Sequence, residues 1–231
     1  MNKNGPPSSA PRHYGWGPRG LGQRVFQCLV NAAVRPFLKL EIHNPPDLGR
    51  MGPVILAPNH ASFLDPPLLQ LVFWHHITFM MTEVIYSRPP FSSFFRFWET
   101  IPVPENGSSA GAIKRALKAI RNRRPVCIFP EGGISDDGYL QPGQGGVVTL
   151  MARAQVPVIP TAILGTFRTF PRPARLIRPG RIVIRFGDPI LPPVKPSRED
   201  VRDFADRIMD AIHKLGAPRH GEPLALERYR L

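Results

Sequence analysis

Cysteine, long apolar runs and acidic side chains are all scarce in this 231-residue chain. Only Cys28 and Cys127 occur, each beside apolar neighbours. They read as small buried hydrophobes in a reducing compartment, without a disulfide. No Cys/His spacing matches a zinc pattern, and His75 and His76, adjacent on an expected helix, diverge, so no metal site is expected. No apolar stretch reaches the roughly 18 residues needed to span a bilayer. The first twenty residues, rich in Gly, Pro and Ser with Arg12 and Arg19, lack the apolar core of a secretory signal and read as a disordered arm. These absences predict a soluble or peripheral protein with no transmembrane helix and no signal peptide.

The shortage of acids leaves 30 Lys+Arg against 17 Asp+Glu, a formal charge of +13. Such a surface attracts nucleic acid, anionic lipid headgroups or a phosphate-bearing substrate. No helix-turn-helix, zinc-finger or RNA-recognition signature is present, and the aromatics sit in apolar runs, so nucleic acid is not the expected partner. Proline and glycine are plentiful, 29 and 20, but clear apolar runs lie between them, so they mark loops and not global disorder. The expected organisation is an arm over 1–20, a single domain over 21–216 and a loose tail over 217–231.

Along the chain, apolar residues recur at helical spacing from Leu21 to Leu40 (Val25, Phe26, Leu29, Val30, Ala33, Val34, Phe37), with Arg24, Arg35 and Lys39 opposite. This is an amphipathic helix, docked on the core or lying on a membrane surface. Short strands follow at Leu40–His43, Val54–Ala57, Ile77–Met81, Thr100–Pro104 (an edge, since its prolines remove donors), Val126–Phe129 and Val156–Leu164. Arg181–Phe186 alternates as a half-exposed strand does. Helices are expected from Pro67 to His75, Ser109 to Arg123, Gly143 to Ala154 and Ser197 to about Leu215, the last opened by a serine cap with acids in its first turn. The aromatics between Ile85 and Trp98 read as core; the alternative is an exposed apolar rim that meets lipid or an acyl chain. Strands alternating with helices predict an α/β layered domain with a central mixed, largely parallel sheet flanked by helices. In such folds chemistry gathers where strands end and helices begin.

Two stretches occupy such ends: Asn59-His60-Ala61-Ser62-Phe63-Leu64-Asp65 and Pro130-Glu131-Gly132-Gly133-Ile134-Ser135. In the first, a four-residue turn brings His60 and Asp65 into hydrogen-bond reach. A carboxylate on one imidazole nitrogen fixes the tautomer and leaves the other nitrogen to take a proton. The plain alternative is a capping Asp beside a surface His.

The order and gaps of these blocks resemble the glycerolipid acyltransferase family typified by 1-acylglycerol-3-phosphate acyltransferase. Asn59–Asp65 is similar to its first block, Phe129-Pro130-Glu131-Gly132 to its third, and Val156–Ala162 to its fourth, together covering about Gly52 to Pro192. The resemblance implies a membrane-associated O-acyltransferase of phospholipid synthesis at the cytoplasmic face. It would move a fatty acyl group from acyl-CoA or acyl carrier protein to a lysolipid hydroxyl, with 1-acylglycerol-3-phosphate first among acceptors. The thioester is a co-substrate and no cofactor is implied. An anionic membrane surface is the implied partner.

In that chemistry His60 is the general base and Asp65 its orienter, while the substrate hydroxyl is the nucleophile. Glu131, Gly132, Ser62 and Phe63 are the expected substrate-binding positions. Ser62 also reads as a turn-stabilising hydroxyl, and Glu131 as an anchor for acceptor hydroxyls or a loop brace. Backbone N–H groups after Asp65 or around Gly132-Gly133 are candidates for holding the oxyanion. The arginines at 168, 172, 175, 178, 181 and 185 are candidates for donor phosphates, an acidic carrier or anionic membrane.

The chain departs from the pattern in two blocks. Thr100–Pro104 keeps the middle of the second block, but Glu99 and Glu105 stand where the family has Gly and Arg. Ile134 replaces an Arg of the third. Those arginines are associated with acceptor phosphate in the family, so Lys114, Arg115 or Arg153 would have to substitute. Otherwise the acceptor differs, and a lyso-aminolipid would suit Glu105. A non-catalytic lipid- or nucleic-acid-binding protein is the remaining alternative.

Overall fold

The structure, a computed structural model, describes residue 25, residues 28–30, residue 32 and residues 37–224 apart from 74, 90, 91, 107 and 173. Its strands are β1 (Leu38–His43), β2 (Ile55–Pro58), β3 (Thr78–Thr82), β4 (Ile101–Val103), β5 (Val126–Cys127), β6 (Val158–Leu164) and β7 (Gly180–Phe186). They form one sheet in the order β1-β7-β6-β2-β5-β3-β4. The five strands from β6 to β4 run parallel, whereas β7 is antiparallel to β6 and parallel to β1. The sheet is thus mixed and largely parallel, as expected.

The helices are α1 (Leu48–Met51), α2 (Asp65–Val72), α3 (Glu83–Tyr86), α4 (Ser92–Phe97), α5 (Ala110–Arg121), α6 (Gly146–Ala154), α7 (Thr166–Thr169) and α8 (Arg198–Lys214). Successive strand residues point to opposite faces, which divides the core in two. Ile55, Ala57, Val158, Ala162 and Val183 pack with α5, α6 and α8. Leu56, Ile159, Ile163, Ile182 and Ile184 pack with α2 and its neighbours. All seven β6 residues and all four β2 residues are buried, so both read as continuous apolar runs.

Several expectations change. The described positions 25, 28–30 and 32 are helical, but Leu38–Leu40 start β1 and leave that helix shorter; the rest of its span lies outside the described residues. Val25, Leu29 and Cys28 are exposed, so the core-docked reading fails there, as does the buried reading of Cys28. Between β1 and β6, β7 is mostly buried and not half-exposed. Phe73 is extended and ends α2, because Gln70 Nε2 donates to the Phe73 and His75 carbonyls and Gln70 Oε1 accepts from Ile77 N. His75 and His76 therefore lie in a loop and not on a helix. Neither α3 nor α4 has a buried residue; Phe94 and Phe97 are exposed, and among the described residues of the segment only Trp98 at its end is buried. Its aromatics form a rim, stacked on one another (Tyr86 on Phe95, Phe94 on Trp98), in place of the expected core. The tail is not loose where it begins: Ala217 and Pro218 are buried. Residues 225–231 lie outside the described part.

Candidate active site

Parallel strands place the ends of β2, β5 and β6 at one edge of the sheet, and β2 sits between the other two. The turn after β2 is locked by Asn59. Its Nδ2 donates to the Ile163 carbonyl at 3.0 Å and its Oδ1 accepts from Ile163 N at 2.7 Å, extending the ladder to β6 with a side chain. Sequence reasoning gave Asn59 no role; an amide directly after a buried strand was the only signal.

Asp65 opens α2 but does not cap it. Its Oδ2 accepts from Ala61 N and Ser62 N, both at 2.8 Å, and lies 2.9 Å from His60 Nδ1. A fully buried carboxylate needs such donors, because an unpaired buried charge costs several kcal/mol. The turn is therefore wrapped around the carboxylate. A carboxylate at this position accepts from an Nδ1–H, and that tautomer leaves Nε2 as the ring's acceptor. The imidazole stacks on Phe129 with centroids 3.9 Å apart, which fixes the ring plane.

Glu131 is also buried, and both its oxygens are taken. Oε1 accepts from His60 N at 2.7 Å and Oε2 from Gln141 N at 2.9 Å. Both oxygens brace backbone amides, which fits the loop-brace role, and each keeps a second lone pair. Burial pushes its carboxyl up to about 7, against the pull of the Gln141 and His60 amides. Ser62 Oγ donates to the Phe170 carbonyl at 2.6 Å and accepts from Leu64 N at 3.1 Å, so it is tied into the turn, as the turn-stabilising reading expects. Phe63, in contrast, is 42% exposed at the mouth of the turn.

Gly132 has φ +76°, a conformation that favours glycine, and a Cβ there would have to displace the Gln144 amide. Its N–H donates to the Phe129 carbonyl at 3.1 Å, and Asp65 N donates to the Ser62 carbonyl at 3.2 Å. Both amides are thereby committed and neither is available to an oxyanion.

The departures from the family pattern separate in space. Glu99 precedes β4 and lies at the opposite end of the sheet from His60, where it pairs with Arg124 ahead of β5. Its φ of +52° is the left-handed conformation that glycine favours, which explains a glycine in the family at this place. Glu105 follows β4 and is exposed at the site's end of the sheet. Arg153 is in the last turn of α6, which leads away from the site toward the start of β6, so it cannot substitute for the missing cations. Arg115 Nη2 donates to the Pro102 carbonyl. Of the arginine series, Arg181 forms a two-bond fork with Glu41 at 2.7 Å each, Arg185 Nη1 donates to the Leu215 carbonyl and Arg172 pairs with Asp136. Arg181 and Arg185 are thus tied into the fold, whereas Arg172, Arg175 and Arg178 are exposed.

A family model described as Acyltransferase matches residues 39–164. The chain is 29% identical over 150 residues to the chloroplastic 1-acyl-sn-glycerol-3-phosphate acyltransferase BAT2 of Brassica napus, covering 64% of this chain and 43% of that protein. It is 26% identical over 136 residues to human 1-acyl-sn-glycerol-3-phosphate acyltransferase beta, covering 58% and 49% respectively. The chain thus spans less than half the length of either relative. The crystal structure of the 1-acyl-sn-glycerophosphate acyltransferase PlsC from Thermotoga maritima superposes with a TM-score of 0.62 over 86% of this chain and 85% of that one, at 21% identity, and shares the fold.

Proposed function

The chain belongs to the acyltransferase family, and on that premise we propose that it transfers a fatty acyl group from a thioester to the hydroxyl of a lysolipid. The thioester would be acyl-CoA or acyl carrier protein, and 1-acylglycerol-3-phosphate is the first acceptor to test. The observation that carries the reading is the 2.9 Å contact between His60 Nδ1 and the buried Asp65 carboxylate. His60 Nε2 takes the acceptor's proton as its oxygen attacks the thioester carbonyl. The tetrahedral intermediate then collapses, expelling the thiolate, which recovers the proton from the imidazolium. Asp65 supports the imidazolium meanwhile.

A lipid acceptor requires approach to a membrane. Exposed Phe63, Val84, Phe94, Phe97, Leu176 and Ile177 support peripheral association, with exposed Arg175 and Arg178 suited to anionic headgroups. No helix among the described residues is long and apolar enough to cross a membrane. In this reading the protein works at the cytoplasmic face.

A second reading concerns the acceptor alone. Glu105, exposed at the site's end of β4, would repel a phosphate and attract an amine, which favours a lyso-aminolipid. One assay tests both readings: labelled acyl-CoA and acyl carrier protein against a lysolipid panel, with wild type and His60→Ala. Turnover is expected to fall by about 10²–10⁴ in His60→Ala. No turnover by wild type with any pair rejects the acyltransferase reading. Strong preference for lysophosphatidate over amine-bearing acceptors rejects the second.

A further inference from the structure

After α8 the chain turns back on itself instead of trailing into solvent. Gly216 has φ +111°, and a Cβ there would lie 2.9 Å from Arg185 Nη1, so the reversal needs glycine. Ala217 is fully buried, and its carbonyl lies 2.9 Å from His213 Nδ1. The Pro218 carbonyl then accepts from Leu140 N at 2.9 Å. The His220 ring lies over Tyr139 with centroids 4.8 Å apart, and its Nε2 is 3.4 Å from Asp137 Oδ2. Arg219 N donates to Glu222 Oε2 at 3.0 Å, closing the segment. Residues 217–222 thus form a strap over loop 135–141.

That loop is the one that grips His60. Ser135 N donates to the His60 carbonyl at 2.8 Å, while Gln141 N holds Glu131, which holds His60 N. Between those two grips the loop is braced internally. The Ser135 hydroxyl accepts from Gly138 N, and Asp137 Oδ1 accepts from Tyr139 N. Burial opposes it, but the Tyr139 amide, the Ser135 hydroxyl and the His220 ring together hold the Asp137 carboxyl below its usual value. The loop's ends hold His60, and its middle is held by the strap.

We propose that the strap positions His60 from a distance, with His220 as its positioning residue, and that it is therefore part of the working site. The proposal rests on the acyltransferase reading. Its segment lies outside residues 39–164, the stretch matched by the family model. His220 touches no reacting atom. Its side chain is 67% exposed, so replacing it leaves the core intact.

The test uses His220→Ala, His220→Arg, which places a planar donor group facing Asp137 and Tyr139, and a chain ending at Ala217. Two measurements are made on each: amide hydrogen exchange at His60, Ser135 and Gln141, and steady-state kinetics with acyl-CoA. Exchange at these three amides is expected to quicken by about threefold in His220→Ala, with α5 and α8 unchanged, and to return toward wild type in His220→Arg. The shortened chain is expected to lose about tenfold or more in kcat with KM within about twofold. Unchanged exchange at the three amides in His220→Ala overturns the proposal, whether or not the shortened chain folds. So does a shortened chain with wild-type kcat, or a loss confined to KM. If wild type transfers no acyl group, the acyltransferase reading fails, and the exchange measurement still decides whether the strap holds the loop.

Discussion

Burial pushes the Glu131 carboxyl to about 7, while an unfolded glutamate titrates near 4.5. A value raised on folding favours the folded state fully below the unfolded value, and that share of stability is lost as pH rises through about 7. The same ionisation strengthens the brace, because a carboxylate accepts the His60 and Gln141 amides better than a neutral acid does. The residue therefore trades stability for preorganisation across the neutral range. Replacing Glu131 by Gln removes the titration. The stability of wild type relative to Glu131→Gln is expected to fall by on the order of 2 kcal/mol between pH 5 and 8, read from denaturant unfolding at both values. A difference independent of pH would mean that the carboxyl does not titrate in that window.

Among the elements, α8 shows local sequence chemistry at its plainest. Ser197 Oγ accepts from Asp200 N at 3.1 Å and Asp200 Oδ2 accepts from Ser197 N at 2.7 Å, a reciprocal pair that satisfies two N-terminal donors. Ala205, Ile208, Met209 and Ile212 form the buried stripe, with His213 and Lys214 at the C-terminus, where cations suit the helix dipole. Ser197→Ala is expected to cost about 1 kcal/mol, measured as a shift in the denaturant midpoint with an unchanged slope. The α3–α4 segment is the opposite case. Its aromatic density looks like core, yet no sheet face remains for it, because α2 with its following loop and α5, α6 and α8 already cover both sides. Phe94 and Phe97 are left at the surface, with Phe94 stacked on the buried Trp98.

For the whole molecule, that leftover surface and the +13 charge act together. An apolar rim gives contact that salt does not screen, and a basic surface gives attraction that salt does. Wild type is expected to partition onto vesicles containing anionic lipid, with part of the binding surviving at about 1 M salt, where the screening length is about 3 Å. Phe94→Ser with Phe97→Ser should abolish that salt-resistant part and leave the salt-sensitive part, as read by vesicle co-sedimentation. Equal salt-resistant binding by wild type and variant would remove the rim from the interface.

Much of the fold was legible in the residues because it follows from local rules. The apolar runs of β2 and β6, the stripe of α5 and the serine box of α8 each express a periodicity or a cap readable one segment at a time. The pairing of His60 with Asp65 was legible too, since both ends lie within one short turn. Sequence alone did not reveal that Glu131 spends both oxygens on backbone amides, or that Glu99 and Glu105 stand at opposite ends of the sheet. Nor did it show that residues 217–222 return to clasp loop 135–141. Each of these depends on groups far apart in the chain, brought together only when parallel strands align their ends. Short-range geometry is encoded in neighbouring residues, whereas which distant backbone donor meets a given carboxylate is decided by packing.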